Sequence, residues 1–273
     1  MPVAEQTRNS PIIALGHEFK QAACAGRRLG GAWLSLGSSV ASEIAVNAGY
    51  DWLLIDLEHG NSDYGDLLHQ LQAASIATLV RVPAIDRAVF KRVLDLGAHG
   101  LMIPQLNNAE DARRCVSYAR IPPLGVRGAA KTTRASGYGR HYEHYLGMAN
   151  DALVIMAQIE SRAGIINVEE IAAVDGVDIL FVGPTDLEVD LNTAGGLQDP
   201  DFRAAVTSVA EAALRHGKAA GVLARTPEQA RAYSALGFTC IALGSDRGAI
   251  AQGLNRSAAA LAELPPRRRD NLG

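Results

Sequence analysis

Eight short apolar runs recur along this chain, at roughly residues 31 to 36, 52 to 58, 77 to 82, 100 to 105, 154 to 160, 179 to 184, 218 to 224 and 239 to 244, and a helical pattern follows nearly every one. Runs of that length bounded by turn residues are buried strands, and an intervening helix forces consecutive strands to pair in parallel. Eight such units predict an α/β fold, a (β/α)8 TIM barrel, with active groups on the loops after the strands. Helix punctuation agrees. Asp86 precedes a helical period through Val89, Phe90, Val93 and Leu94 that stops at Gly97, and Thr226-Pro227-Glu228-Gln229 supplies an N-cap, an N1 proline and a capping partner. Asn167 with Glu170 three places on has the spelling of a capping box. Residues 11 to 29 form an extra helix ahead of the first strand on this reading.

At 273 residues the chain accommodates one barrel domain, 1–273, with the ends 1–10 and 264–273 expected as flexible tails. Apolar residues make up 48% and charged residues 20%, so an ordinary core is available. The net charge of -3 and dispersed arginines give no footprint for nucleic acid. No stretch reaches the roughly 20 apolar residues that span a bilayer, no signal-like segment opens the chain, and the expected location is the cytoplasm. Cys24, Cys115 and Cys240, odd in number and widely spaced, fit reduced structural thiols rather than a disulfide frame or zinc site.

Two acids close neighbouring runs: Glu160 after Val154–Ile159, and Asp186 after Ile179–Thr185. Oxygen ligands converging from the ends of adjacent parallel strands suit a hard divalent cation with positions open for substrate. The second run ends Ile55-Asp56-Leu57-Glu58-His59, putting two carboxylates on one face where aliphatic residues are usual. Unpartnered, they are costly to bury, so either a salt bridge or capped loop, or a site role, must account for them. Arg81 ends the third strand on the same rim, a permanently charged donor suited to an enolate. Asp95 lies in the last turn of a helix, where the macrodipole disfavours it by about 0.3 to 1 kcal/mol; it is either a surface charge or the orienting partner of a histidine. No lysine ends a strand, which disfavours Schiff-base chemistry. The interruption at 121–150, with Arg127, Arg134, Arg140, His141 and His144, is long for a plain connection and reads as an active-site flap or an interface element.

Four motifs, Gly49-Tyr50-Asp51-Trp52 leading into Asp56-Leu57-Glu58-His59, Pro122-Pro123-Leu124-Gly125-Val126-Arg127-Gly128, Gln158-Ile159-Glu160 and Gly183-Pro184-Thr185-Asp186-Leu187, occur in order at the expected places. Together they resemble the HpcH/HpaI aldolase family of class II, metal-dependent pyruvate aldolases, from about Gly31 to Gly253. The resemblance implies the same barrel, assembled as a hexamer, a trimer of dimers that exchange their last helix. It implies that Glu160 and Asp186 bind Mg²⁺, Mn²⁺ or Co²⁺, that pyruvate chelates the metal, and that Gln158 and the Thr185 amide hold that substrate. Arg81 would stabilise the enolate oxygen, His59 would accept the proton through a metal-associated water, and Asp95 would raise the basicity of His59. Trp33 and Asp56 match family positions beside the substrate.

The expected reaction is therefore metal-dependent aldol cleavage or condensation of a 4-hydroxy-2-oxo acid, pyruvate plus an aldehyde, through a metal-bound pyruvate enolate. Residues 129–145 and the segment holding Glu188, Asn192 and Gly195-Gly196 depart from the family and leave the aldehyde open. Related enolate chemistry (oxaloacetate decarboxylation, a CoA-thioester lyase, a macrophomate-synthase-like reaction) and a non-catalytic ligand-binding barrel stand as alternatives.

Overall fold

The structure, a computed structural model, describes residues 10–264. The expected tails lie, apart from Ser10 and Leu264, outside the described residues. Eight parallel strands close into a barrel in sequence order: β1 Leu29–Leu34, β2 Trp52–Asp56, β3 Ala77–Arg81, β4 Gly100–Ile103, β5 Val154–Ile159, β6 Ile179–Val182, β7 Ala219–Ala224 and β8 Cys240–Ser245. Helix α1, Pro11–Cys24, precedes β1. The others follow the strands: α2 Ser39–Asn47, α3 Tyr64–Ala73, α4 Arg87–Asp95, α5 Ala109–Ala119, α6 Tyr142–Ala152, α7 Arg162–Ile166, α8 Val168–Ala172, α9 Pro184–Leu191, α10 Pro200–Arg215, α11 Pro227–Ala235 and α12 Asp246–Ala262. The expected architecture is therefore the observed one, with strand ends displaced by one or two residues.

Two apolar layers hold it. Inside the barrel, Trp33, Trp52, Leu54, Leu79, Met102, Met156 and Phe181 interdigitate, and α1 closes the amino-terminal mouth by placing Phe19 6.0 Å from Trp52, centroid to centroid. Between barrel and helices pack Leu53, Ile55, Val80, Phe90, Leu101, Leu180, Phe202 and Val206. Fully burying a side chain of this kind is worth about 1.5–3 kcal/mol, so the sheet stays fixed while its rims carry polar residues.

Local signals set most helix starts. Asp86 accepts from the amides of Ala88 and Val89, and Thr226 from that of Gln229, as their sequence predicted. Asn167 does not cap: its side chain donates to the Asn107 carbonyl at 2.8 Å, and the stretch splits into α7 and α8, α7 being capped by Ser161 through the Gly164 amide. Asp63 and Asp66 form a capping box at α3 instead.

The 121–150 segment joins the end of α5 to the start of β5, so it runs at the amino-terminal rim. There Arg134 donates to the carbonyls of Leu96 and Leu71, and α6 packs on α1. An active-site flap over its own barrel mouth is thus ruled out by topology. Helix α12 has no buried residue and leaves Ile250, Leu254 and Leu261 in solvent. Cys24, Cys115 and Cys240 are free thiols. Among the described residues no helix is long and apolar enough to cross a membrane.

Candidate active site at the carboxyl rim

Asp56 and Arg81 are register partners at the ends of β2 and β3. Arg81 Nε donates to Asp56 Oδ1 at 2.9 Å, Nη2 to Oδ2 at 2.6 Å, and Nη1 lies 2.9 Å from Glu58 Oε2. The guanidinium also sits 4.8 Å from the Trp33 ring centroid, and Trp33 Nε1 donates to Asp56 Oδ2 at 3.1 Å. Burial works to raise the Asp56 carboxyl, but hydrogen bonding and charge from Arg81, with help from Trp33, hold it below its ordinary value. Glu58 is raised instead, since burial outweighs Arg81. The salt-bridge reading of the two β2 acids is therefore met, and it leaves two Arg81 N–H bonds for another acceptor.

After β2 the chain turns back tightly. Asp56 Oδ1 accepts from the amides of Glu58 and His59 at 3.0 and 3.2 Å. A Cβ at Gly60 would lie 1.9 Å from the Asp56 carbonyl oxygen, so the turn requires glycine. It presents the His59 side chain to solvent on the rim.

Glu160 directly follows β5 and is 5% exposed. Its Oε1 accepts from the Gln105 amide at 2.8 Å and its Oε2 from Gln158 Nε2 at 2.5 Å. Burial pushes the carboxyl up to about 7; the Gln105 amide opposes this, while the charges of Asp186 and Glu58 add to it. Asp186 lies beyond the strand rather than on it: β6 stops at Val182, and Pro184, Thr185 and Asp186 make the first turn of α9. Gly183 allows that turn to close on the acids, because a Cβ there would lie 2.4 Å from Glu160 Oε2 and 2.7 Å from Gln158 Nε2. Gln158 Oε1 is buried with no partner among the described residues.

These residues fit a divalent cation. Two hard carboxylates act on one another, burial and the charge of Asp186 both disfavouring charge on Glu160, and among the described residues neither acid forms an ion pair. Among the described residues no cluster of three or more His, Cys, Asp or Glu could hold a metal. Such an ion would keep positions for water and a chelating substrate, as Mg²⁺-type sites do.

The chain does not bring Asp95 to His59. Helix α4 starts after the carboxyl end of β3 and runs back toward the start of β4, so its last residue lies about 12 Å down the helix, at the opposite rim. Among the described residues no hydrogen bond or ion pair joins the two. Asp95 is half-buried and raised by burial, with Arg127 and Lys91 opposing. The other residues, Trp33, Asp56, His59, Arg81, Gln158, Glu160, Thr185 and Asp186, all gather at the carboxyl rim. Lys20, by contrast, pairs with Asp178 at 3.0 Å, just ahead of β6, and no lysine among the described residues ends a strand.

Comparison with known proteins bears on the family and the fold. Residues 30–252 match the family model described as HpcH/HpaI aldolase/citrate lyase. The chain belongs to this family. It is 44% identical over 225 residues to a hydroxypyruvate/pyruvate aldolase of Paraburkholderia phytofirmans, covering 79% of this chain and 86% of that protein. It is 38% identical to a 5-keto-4-deoxy-D-glucarate aldolase of Klebsiella pneumoniae, covering 85% and 91%. A solved HpcH/HpaI aldolase/citrate lyase family protein from Burkholderia cenocepacia superposes with a TM-score of 0.85 at 37% identity, covering 90% of this chain and 99% of that one. As a member of the HpcH/HpaI family the chain is a carbon–carbon lyase with a TIM-barrel fold.

Sequence reasoning missed two contributors, Gln105 and Arg225, and gave a third, Gly183, no role beyond its place in a motif. The Gln105 amide reaches Glu160 only because Gln105 adopts φ 52°, which nothing local announces. The role of Gly183 could have been read from the Gly-Pro pair that opens α9. Arg225, whose Nη2 donates to Thr185 Oγ1 at 2.7 Å, lies 40 residues away in sequence and carried no signal.

Proposed function

We propose that this protein cleaves a 4-hydroxy-2-oxo acid to pyruvate and an aldehyde, and runs the reverse condensation, with a divalent cation, Mg²⁺, Mn²⁺ or Co²⁺, held by Glu160 and Asp186. The observation that carries this reading is the convergence of those two acids on one rim with Arg81 and His59. When bound, the cation supplies a Lewis acid for the 2-oxo group. Gln158, with its unpartnered Oε1 and its amide on Glu160, positions the oxo acid. The Thr185 amide, in the first turn of α9, offers an N–H to the substrate carboxylate. In cleavage, His59 takes the proton of the C4 hydroxyl; the C3–C4 bond breaks and its electron pair moves into the pyruvyl part as an enolate. The free N–H bonds of Arg81 face the enolate oxygen, and Asp56, Glu58 and Trp33 hold the guanidinium in place. Condensation reverses these steps, with His59 returning the proton to the new alkoxide.

The test is pyruvate with a panel of aldehydes, in both directions. Dialysis against EDTA should abolish turnover and Mn²⁺, Co²⁺ or Mg²⁺ should restore it. A covalent pyruvate adduct trapped by borohydride, with no effect of EDTA, would sink the reading.

Assembly as a homo-oligomer, a hexamer built as a trimer of dimers exchanging α12, is part of the same proposal. A helix with no buried residue, bearing Ile250, Leu254 and Leu261 in solvent, gains its stability from packing elsewhere. Sedimentation of the full chain and of a version ending at residue 245 tests it: the first should be hexameric and the second smaller.

A further inference from the structure

A cleft of roughly 580 Å³ opens between α9 and α11, beside Thr185. Thr185, Glu188, Thr193, Leu223, Arg225 and Tyr233 are among its walls. Arg225 directly follows β7, at the carboxyl rim, and its side chain is exposed. Its backbone amide is anchored by Gln229 Oε1 at 2.9 Å, and its Nη2 reaches Thr185 Oγ1 at 2.7 Å. Thr185 immediately precedes Asp186 in the first turn of α9, so this guanidinium is bonded to the residue beside one of the proposed metal ligands. Arg114, Arg215 and Arg231 each pair with a carboxylate. Arg225 forms no ion pair among the described residues, and the one acid lining the cleft, Glu188, is engaged through Oε1 by the Gly196 amide at 2.7 Å.

We propose that this cleft receives the tail of the aldehyde and that Arg225 is a specificity-determining residue which selects aldehydes carrying an anionic group, carboxylate or phosphate, at their far end. The inference rests on the aldolase reading above. The physical grounds are these. The electrophile must approach the pyruvyl carbon from the open side of the rim, because the floor is filled by Trp33, Phe181 and Met156. A cleft of this volume lies in the range of small-molecule sites, and exceeds what a two-carbon aldehyde would fill. A planar guanidinium held by one neutral partner keeps donors for a two-pronged bond to an oxyanion. The Thr193 and Tyr233 hydroxyls can serve hydroxyl groups along the tail.

The experiment compares matched aldehydes in condensation with pyruvate: glyceraldehyde 3-phosphate against glyceraldehyde, and 4-oxobutanoate against pentanal. The two pairs separate phosphate from carboxylate recognition. In the metal-loaded enzyme the charged member of at least one pair should be preferred. Arg225→Ala should lower the charged-to-neutral ratio of kcat/KM by roughly ten- to a hundredfold, the scale of a charge-assisted bond, and mainly through KM. Arg225→Lys should restore most of the ratio, and Arg225→Glu should invert it. If Arg225→Ala lowers both members alike, or changes neither, the assignment is overturned. Exchange of the pyruvate methyl protons in D2O, measured on the wild-type enzyme without aldehyde, separates the two levels. No exchange defeats the aldolase reading and this inference with it; normal exchange with an unmoved ratio defeats Arg225 alone.

Discussion

Arg81 grips Asp56 through two parallel hydrogen bonds, Nε to Oδ1 at 2.9 Å and Nη2 to Oδ2 at 2.6 Å, between register partners on adjacent strands. Both side chains are buried, so the pair fixes the angle at which the remaining guanidinium N–H bonds meet the site. A lysine in this place keeps the charge and loses the planar fork. Arg81→Lys is expected to lower kcat/KM by about a hundredfold or more, the scale of one oxyanion donor. It should also lower Tm, since one ammonium leaves part of the buried Asp56 carboxylate without its hydrogen bond, at about 1–3 kcal/mol. Steady-state kinetics below the variant's own Tm, set beside calorimetry, checks both; a variant with wild-type kcat/KM removes Arg81 from the enolate.

Glu160→Gln and Asp186→Asn preserve shape and remove charge. Each should leave the barrel folded, because polar groups at the carboxyl rim serve the site more than the core, and each should abolish Mn²⁺ binding followed by calorimetric titration. Glu160→Gln should raise the thermal stability of the metal-free protein, since the charge on Glu160 is disfavoured by burial and by Asp186 and Glu58. Unchanged Mn²⁺ affinity in both variants places the metal elsewhere.

Among the described residues His59 bonds the chain through its backbone amide alone, so its imidazole is dispensable for their fold. His59→Ala should still bind Mn²⁺ and the pyruvate mimic oxalate, and lose about 10²- to 10⁴-fold in kcat/KM, the usual contribution of a positioned base. Near wild-type turnover would take the base assignment away from His59.

The legible part of this molecule was the part written locally. Apolar runs and capping residues such as Asp86 and Thr226 act within a few positions, so the barrel could be read directly, and Glu160 and Asp186 follow from their places after β5 and β6. Asn167 misled because its amide had a better long-range acceptor in the Asn107 carbonyl than its own helix offered. Asp95 does not meet His59 of its own chain because a helix nine residues long carries its last residue to the far rim, which motif order along the chain does not reveal. Gln105 and Arg225 were invisible for the same reason: each acts on a residue 40 or more positions away.

His99 offers a test of the fold independent of the metal site. It lies just ahead of β4, 7% exposed, where its Nδ1 accepts from the Thr78 amide at 2.9 Å and its Nε2 has no partner among the described residues. Burial lowers its pKa to about 4; the Thr78 carbonyl opposes this, and the nearby charge of Arg134 adds to it. An unfolded histidine takes up its proton near 6.5, so between about pH 6.5 and 4 the unfolded chain binds a proton that the folded one refuses. Stability from neutral His99 is therefore complete above that window and is lost as pH falls through it, by about 3 kcal/mol over the whole range. The raised carboxyls of Glu58, Asp95, Glu160 and Asp178 act in the opposite sense, since the fold favours their protonated forms; total stability against pH would mix the two. The difference between wild type and His99→Gln isolates the histidine, because the carboxyls are common to both. Calorimetric unfolding in EDTA from pH 7.5 down to 4 should show the variant less stable at the top of the range and the gap narrowing by about 3 kcal/mol toward the bottom. Parallel curves would mean that His99 takes up its proton at the same pH in the fold as in the unfolded chain, so that burial does not hold it neutral.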